Sequence, residues 1–185
     1  MTLIIKLLRS IGRSSDVHEV IYLTGFMGSG KTTVGEQLSK ALGVRVIDTD
    51  EWIESQEQKT INEIFKEHGE AYFRLKETEA LLEIQDKQLL LVTTGGGIVL
   101  KDENKKIMQE RGQVIYLDCD LDAIFERVAG DTSRPLLHQK SKEDIRALFE
   151  MRKNDYLAAA TMVCDTTGKS VRQVVQELKE KVLKK

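Results

Sequence analysis

Proline and cysteine are nearly absent: the 185 residues hold one proline, Pro135, and two cysteines, Cys119 and Cys164. With so little proline, and no Gly- or Ser-rich run, nothing in the chain reads as a tether between domains, and no repeat is visible. Two cysteines cannot staple a disulfide scaffold. Each lies in an apolar strand-like run, "VIYLDC" and "TMVCD", so both read as small core residues suited to a reducing compartment. His18, His68 and His138 share no ligand spacing with them, which excludes a zinc-type cluster. No apolar run approaches the roughly 18 residues of a membrane span. Nor is positive charge in excess: 28 Lys and Arg face 30 Asp and Glu, for a net charge of -2 and a pI near 6.0. That balance argues against a nucleic-acid or anionic-membrane surface. The opening stretch, "MTLIIKLLRSIGRSSDVH", is apolar but broken by Lys6 and Arg9 and lacks a small-residue cleavage site. Residues 1–19 therefore read as a loosely held arm, with a short amphipathic targeting piece as the alternative, rather than a secretory signal, and the protein is expected in the cytoplasm.

What is present suits one domain, residues 20–185, with 41% hydrophobic residues to fill a single core. Five short apolar runs read as strands: Val20 to Thr24, Val44 to Asp48, Leu89 to Thr93, Val114 to Asp118 and Thr161 to Asp165. Their hydrophobicity is continuous rather than alternating, as buried strands of a parallel sheet covered on both faces require. Helical patterns separate them. Val34, Leu38, Ala41 and Leu42 mark one apolar face, and Gly43 stands where a C-terminal cap belongs. Thr60 with Glu63, and Ser170 with Gln173, have capping-box spacing, so helices should begin near Ile61 and Val171. Residues 61–85 read as a helical excursion between the second and third strands. The alternation gives an α/β fold with right-handed crossovers. The polar segment "GDTSRPLLHQKS", within residues 130–142, is the best candidate for a mobile lid.

One motif carries explicit chemistry. Gly25, Gly30, Lys31 and Thr32 fit G-x-x-x-x-G-K-[ST] between the first apolar run and a helical pattern. In such a loop, backbone amides and the following helix N-terminus surround phosphate oxygens, since both favour negative charge there. Gly28, Ser29, Gly30, Lys31, Thr32 and Thr33 are the expected ATP-binding residues. Lys31 would reach the β- and γ-phosphates and the Thr32 hydroxyl would ligate Mg²⁺. Phe26 and Met27 read as spacers and packing residues. Three strands end in an aspartate that could complete a metal site, Asp48, Asp118 and Asp165, and sequence does not rank them. No N-K-x-D element follows, which disfavours a GTP switch.

Further elements narrow the substrate. "DTD" (Asp48 to Asp50) follows the second strand, "FRLKE" (Phe73 to Glu77) lies on the helical excursion, "GGG" (Gly95 to Gly97) follows the third strand, and Arg152 begins "RKNDY". Arg74 and Arg152 offer forked donors to a carboxylate, and Glu77, three residues after Arg74, could hold its guanidinium. Consecutive glycines let backbone approach a ligand. "DTD" alone could equally be a helix N-cap beside a surface charge.

With "GFMGSGKTT" and "SRPLL", this set resembles the shikimate kinase family, in one register from about Val20 to the C-terminus. The resemblance implies a P-loop kinase fold, a five-stranded parallel sheet in the order 2-3-1-4-5, with a substrate region over residues 50–88 and a lid. It implies ATP- and Mg²⁺-dependent phosphorylation of the shikimate 3-hydroxyl in aromatic amino-acid biosynthesis. Asp50 would accept the hydroxyl proton, Asp48 would join the Mg²⁺ shell through water, and Arg74, Arg152 and Gly95, Gly96 and Gly97 would hold the acid. Lys31 and the lid arginine, Arg134, would neutralise the moving group, while Arg127 packs on adenine and Lys169 borders it. The adenine loop "DTTGKS" lacks a proline often seen in the family, and the arm before Val20 is longer than the family core needs. Shikimate and ATP are the expected partners, with no nucleic acid and no membrane, for a monomer. The competing readings are a gluconate-type or nucleoside monophosphate kinase, and a regulatory nucleotide-binding module that has lost its chemistry.

Overall fold

The computed structural model describes residues 20–85, 88–128 and 141–183. Five parallel strands, β1 (Val20–Thr24), β2 (Arg45–Asp48), β3 (Leu90–Thr93), β4 (Gly112–Asp118) and β5 (Met162–Asp165), lie in the order β2-β3-β1-β4-β5. Around them run α1 (Lys31–Leu42), α2 (Thr49–Glu57), α3 (Ile61–Glu83), α4 (Asp102–Arg111), α5 (Leu121–Val128), α6 (Lys142–Ala159) and α7 (Val171–Leu183). A 3-10 turn, Ile98–Leu100, follows β3. The order is the one expected from the resemblance.

The unbroken hydrophobicity of the inner strands has a direct cause. Val20, Tyr22, Leu90, Val92, Val114 and Tyr116 enter a core with α3, α4 and α6, while the alternate residues Ile21, Leu23, Leu91, Ile115 and Leu117 enter a second core under α1 and α7. Both faces are covered, so neither set of side chains can be polar. Truncating a fully buried member such as Leu23 to alanine should cost about 2–5 kcal/mol. The expectation of five buried strands fails at the edges. Arg45 of β2 and Val163 and Asp165 of β5 are exposed, because each outer strand has a neighbour on one side only.

Local signals fix the helix ends. Gly43 closes α1 in a left-handed conformation (φ 69°), its N–H donating to the Ser39 carbonyl. Thr60 and Glu63 make the reciprocal capping box at α3, with Glu63 Oε2 2.8 Å from the Thr60 N–H, and Ser170 and Gln173 do the same before α7. A third box, Ser141 with Asp144, opens α6. The helical excursion is real but interrupted: at Gly69 (φ 78°, ψ 175°) the backbone leaves the helical region, so α3 is two helices meeting at a kink.

The phosphate loop, "DTD" and "GGG" follow the carboxyl ends of β1, β2 and β3. Those ends are level, since Thr93 pairs with Leu23 on one side and Asp48 on the other. Ligands of open α/β sheets bind in this crevice. A buried polar link braces it from behind. The Thr78 hydroxyl of α3 donates to Asn104 Oδ1 (2.8 Å), and Asn104 Nδ2 donates to the Ile98 carbonyl (3.0 Å) just after the glycine triplet.

Candidate active site

In the loop between β1 and α1, Gly28 and Gly30 take positive φ (81° and 95°), a region that costs a side-chain-bearing residue about 1–2 kcal/mol. Lys31 Nζ arches back over the loop, donating to the carbonyls of Gly25 (2.8 Å) and Phe26 (3.0 Å). Phe26 is a packing residue, as expected, buried edge-on against Phe149 with centroids 5.3 Å apart. Met27 packs against the same core and also lines the cavity beside the loop.

Asp48 ends β2 and caps α2: its Oδ1 accepts from the N–H of Asp50 (2.9 Å) and Glu51 (3.4 Å), and its Oδ2 accepts from Thr93 Oγ1 (2.7 Å). The three residues of "DTD" therefore have different surroundings. Asp48 anchors the turn, buried Thr49 accepts from the Gly95 N–H (3.1 Å), and Asp50 faces the crevice. Asp50 Oδ1 is buried with no hydrogen-bond partner among the described residues. Burial, with Asp48 next and Glu54 nearby, pushes its carboxyl up to about 6, against the pull of Lys31 and Arg74.

Arg74 stands one-sixth exposed on α3, and Glu77 holds it as its spacing suggested: Nη1 donates to Glu77 Oε2 at 2.8 Å. Glu77 itself has no exposure, and burial pushes its carboxyl up to about 7 despite the adjacent Arg74 and the field of Arg152. Glu70 takes the rest of the fork, accepting from Arg74 Nη2 (2.7 Å) and Nε (3.2 Å). Arg152, on α6, keeps a buried Nε without a partner among the described residues. The triplet fits closely around these side chains. A Cβ on Gly95 would lie 2.5 Å from Asp50 Oδ1, and one on Gly97 would collide with the Arg74 guanidinium.

The three motifs enclose one cavity of about 210 Å³, lined by Gly28, Gly30, Lys31, Thr32, Asp48, Asp50, Gly95 and Gly96 among others. It separates the three aspartates that sequence left unranked. Thr32 and Asp48 share the cavity, whereas Asp118 accepts from the Tyr116 hydroxyl (2.9 Å) and Asp165 is exposed, turned to the Thr167 N–H (2.8 Å). No cluster of three or more His, Cys, Asp or Glu suited to an all-protein metal cage exists among the described residues. Mg²⁺ with a nucleotide needs none, since phosphates and water supply most of its ligands. A hydroxyl and a carboxylate with spare lone pairs fit that role. Ser29 and Thr33 flank these residues, Ser29 buried and Thr33 exposed. Among the adenine and lid residues, Lys169 pairs with Glu177 at 2.8 Å, the side chain of Arg127 on α5 lies outside the described residues, and so does Arg134 with nearly all of the expected lid and the whole arm before Val20.

Comparison with known proteins adds the decisive observation. The family model described as shikimate kinase matches residues 27–183. The chain belongs to the shikimate kinase family. A shikimate kinase of Bacillus cereus (strain AH187) is 48% identical over 162 residues, covering 88% of this chain and 97% of the relative. One of Persephonella marina is 48% identical over 158 residues, covering 85% and 95%. Among solved structures, shikimate kinase from Acinetobacter baumannii in complex with shikimate superposes with a TM-score of 0.80 at 33% identity, covering 92% of this chain and 95% of that one. The family makes the protein a phosphotransferase acting on a shikimate hydroxyl, and no helix among the described residues is long and apolar enough to cross a membrane.

Three residues that shape this shikimate kinase site carry no assignment from sequence. Thr49 and Thr93 tie "DTD" to β3 and the triplet; a threonine beside a capping aspartate gives no signal of its own. Tyr156 is the third. It sits one helical turn after Arg152, and that i,i+4 spacing could have found it.

Proposed function

We propose that the chain passes the terminal phosphoryl group of ATP to the 3-hydroxyl of shikimate, giving shikimate 3-phosphate and ADP. One observation supports this most: the phosphate loop, Asp50 and the glycine triplet line a single cavity. A phosphoryl donor and a hydroxyl acceptor held there would be in reach of one another.

Each residue has a role in this reading. The amides of the loop at Gly28, Ser29 and Gly30 and the N-terminus of α1, with Thr33, cradle the ATP phosphates. Lys31 leaves the loop carbonyls for the β- and γ-phosphates. Arg74 and Arg152 bind the shikimate carboxylate, and Gly95, Gly96 and Gly97 present backbone to the ring. Asp50 orients the 3-hydroxyl and takes its proton as the new P–O bond forms; a carboxyl near 6 is ionised at neutral pH yet basic enough to accept it. Thr32, directly, and Asp48, through water, would hold Mg²⁺. When bound, the metal supplies charge neutralisation at the β- and γ-phosphate oxygens. Arg134 brings further positive charge from the lid, with Arg127 and Lys169 at the adenine. The protein works as a monomer in the cytoplasm.

The experiment is ADP release with MgATP and shikimate, run beside quinate, gluconate and AMP. Turnover that depends on shikimate is expected. Turnover with gluconate or AMP alone would keep the fold and overturn the acceptor pocket.

A further inference from the structure

We infer that Tyr156 is a positioning residue for shikimate: its hydroxyl ties α6 to the glycine triplet and so sets Arg152 against the turn that lines the cavity. This rests on the reading of Arg152 and the triplet as the acid's binding groups.

Tyr156 is fully buried, and its Oη donates to the Gly96 carbonyl at 2.5 Å. Arg152 lies one turn earlier on the same helix, and its positive charge acts on the same hydroxyl. One phenol oxygen thus ties the helix that carries Arg152 to the triplet. The ring cannot turn aside, because it lies flat on Tyr116 with centroids 5.1 Å apart and planes 10° from parallel. Beside it, Lys105 of α4 clamps the neighbouring Asp155 at 2.8 Å, which fixes the turn of α6 that carries the hydroxyl. The triplet in turn leans on the phosphate loop: a Cβ on Gly96 would lie 3.6 Å from the Gly25 carbonyl and 3.7 Å from the Met27 nitrogen. Phenylalanine would fill the same core space, so packing alone gives no reason for a buried hydroxyl there. Its reason is the alignment of α6 with the triplet.

The test is Tyr156→Phe in steady-state kinetics, with shikimate binding by calorimetry in the absence of ATP. Loss of one buried hydrogen bond should raise the shikimate KM and Kd by about fivefold to tenfold. The KM for ATP and kcat should stay within about twofold, because the phosphate loop keeps its own contacts. A lower melting temperature with an unchanged shikimate KM would make the residue a packing element and overturn the inference. So would equal losses for both substrates. Tyr116→Phe, which removes the other hydroxyl of the stack and spares Gly96, should retain the wild-type shikimate KM; a matching rise would assign the effect to the stack and overturn the inference. Arg152→Met separates the two levels of the argument. If it leaves the shikimate KM unchanged, the assignment of the site has failed; if it raises KM while Tyr156→Phe does not, only the positioning role has.

Discussion

Replacing Asp50 by asparagine should make the protein more stable and almost inactive. Its carboxyl is pushed from the ordinary 3.8 up to about 6, mainly by burial. Each pKa unit is about 1.4 kcal/mol, so holding Asp50 ionised costs the folded chain about 3 kcal/mol. The sign follows from the direction. A carboxyl raised on folding binds its proton more tightly in the folded state, so the cost is small near pH 4, grows between pH 4 and 6, and is complete above that. Asparagine is neutral throughout, though its oxygen would keep the buried, unpartnered position of Oδ1 and lose roughly 1 kcal/mol of the gain. The balance is about 2 kcal/mol at pH 8, or about 4–8 °C in melting temperature for a chain of this size. Near pH 4.5 the wild type bears only about 1 kcal/mol of the cost, and the two proteins should melt together. Melting curves at both pH values, beside ADP release with saturating shikimate, provide the assay. The loss of the proton acceptor should lower kcat by at least about 100-fold. A variant that melts no higher at pH 8, or shows the same gap at both pH values, would refute the buried-charge account; one that keeps a tenth of the activity would remove Asp50 as the base.

Other perturbations follow from the same geometry. In the wild type, kcat/KM for shikimate should fall about tenfold per pH unit below about pH 6 as Asp50 takes up a proton; a profile flat from pH 5 to 8 would contradict this. Gly95→Ala puts a methyl group 2.5 Å from Asp50 Oδ1 and should lower kcat by about tenfold to 100-fold, whereas Gly97→Ala displaces Arg74 and should mainly raise the shikimate KM; identical kinetic signatures for the two would refute the division of labour. Glu70 occupies Arg74 donors that, in the proposed function, the acid's carboxylate would use, and its side chain is mostly exposed, so Glu70→Gln should lower the shikimate KM by about twofold to fourfold with kcat unchanged. An unchanged or higher KM would show that Glu70 supports Arg74 rather than competing for it.

Much of the fold was legible because its causes are local. Gly43, Thr60 with Glu63, and Ser170 with Gln173 act over one helical turn, and each end formed where its spacing placed it. The phosphate loop was legible for the same reason: the motif needs only the strand before it and the helix after it. Arg74 and Glu77 meet because they are three residues apart on one helix, a distance sequence can measure. The exposed edges were hidden, since an apolar run does not say whether it has one neighbour or two. That Asp48, rather than Asp118 or Asp165, lines the cavity with Thr32 was hidden too, because all three end strands and only the fold sets their places.

The neighbours that hold the glycine triplet were the least legible part of the site. From sequence the triplet reads as backbone that a ligand can approach, and in the fold its flanks are also packed by distant residues. Thr49 holds the Gly95 amide, Asp50 and Arg74 fill the space that Cβ atoms at Gly95 and Gly97 would take, and Tyr156 holds the Gly96 carbonyl. These neighbours come from α2, α3 and α6, far apart in the chain, so no local pattern announces them. The missing side chains therefore do not give the turn freedom. They let Asp50, Arg74 and the α6 anchor close on one short stretch of backbone, and in the proposed function that convergence, more than any single residue, would place an acceptor hydroxyl opposite the phosphate loop.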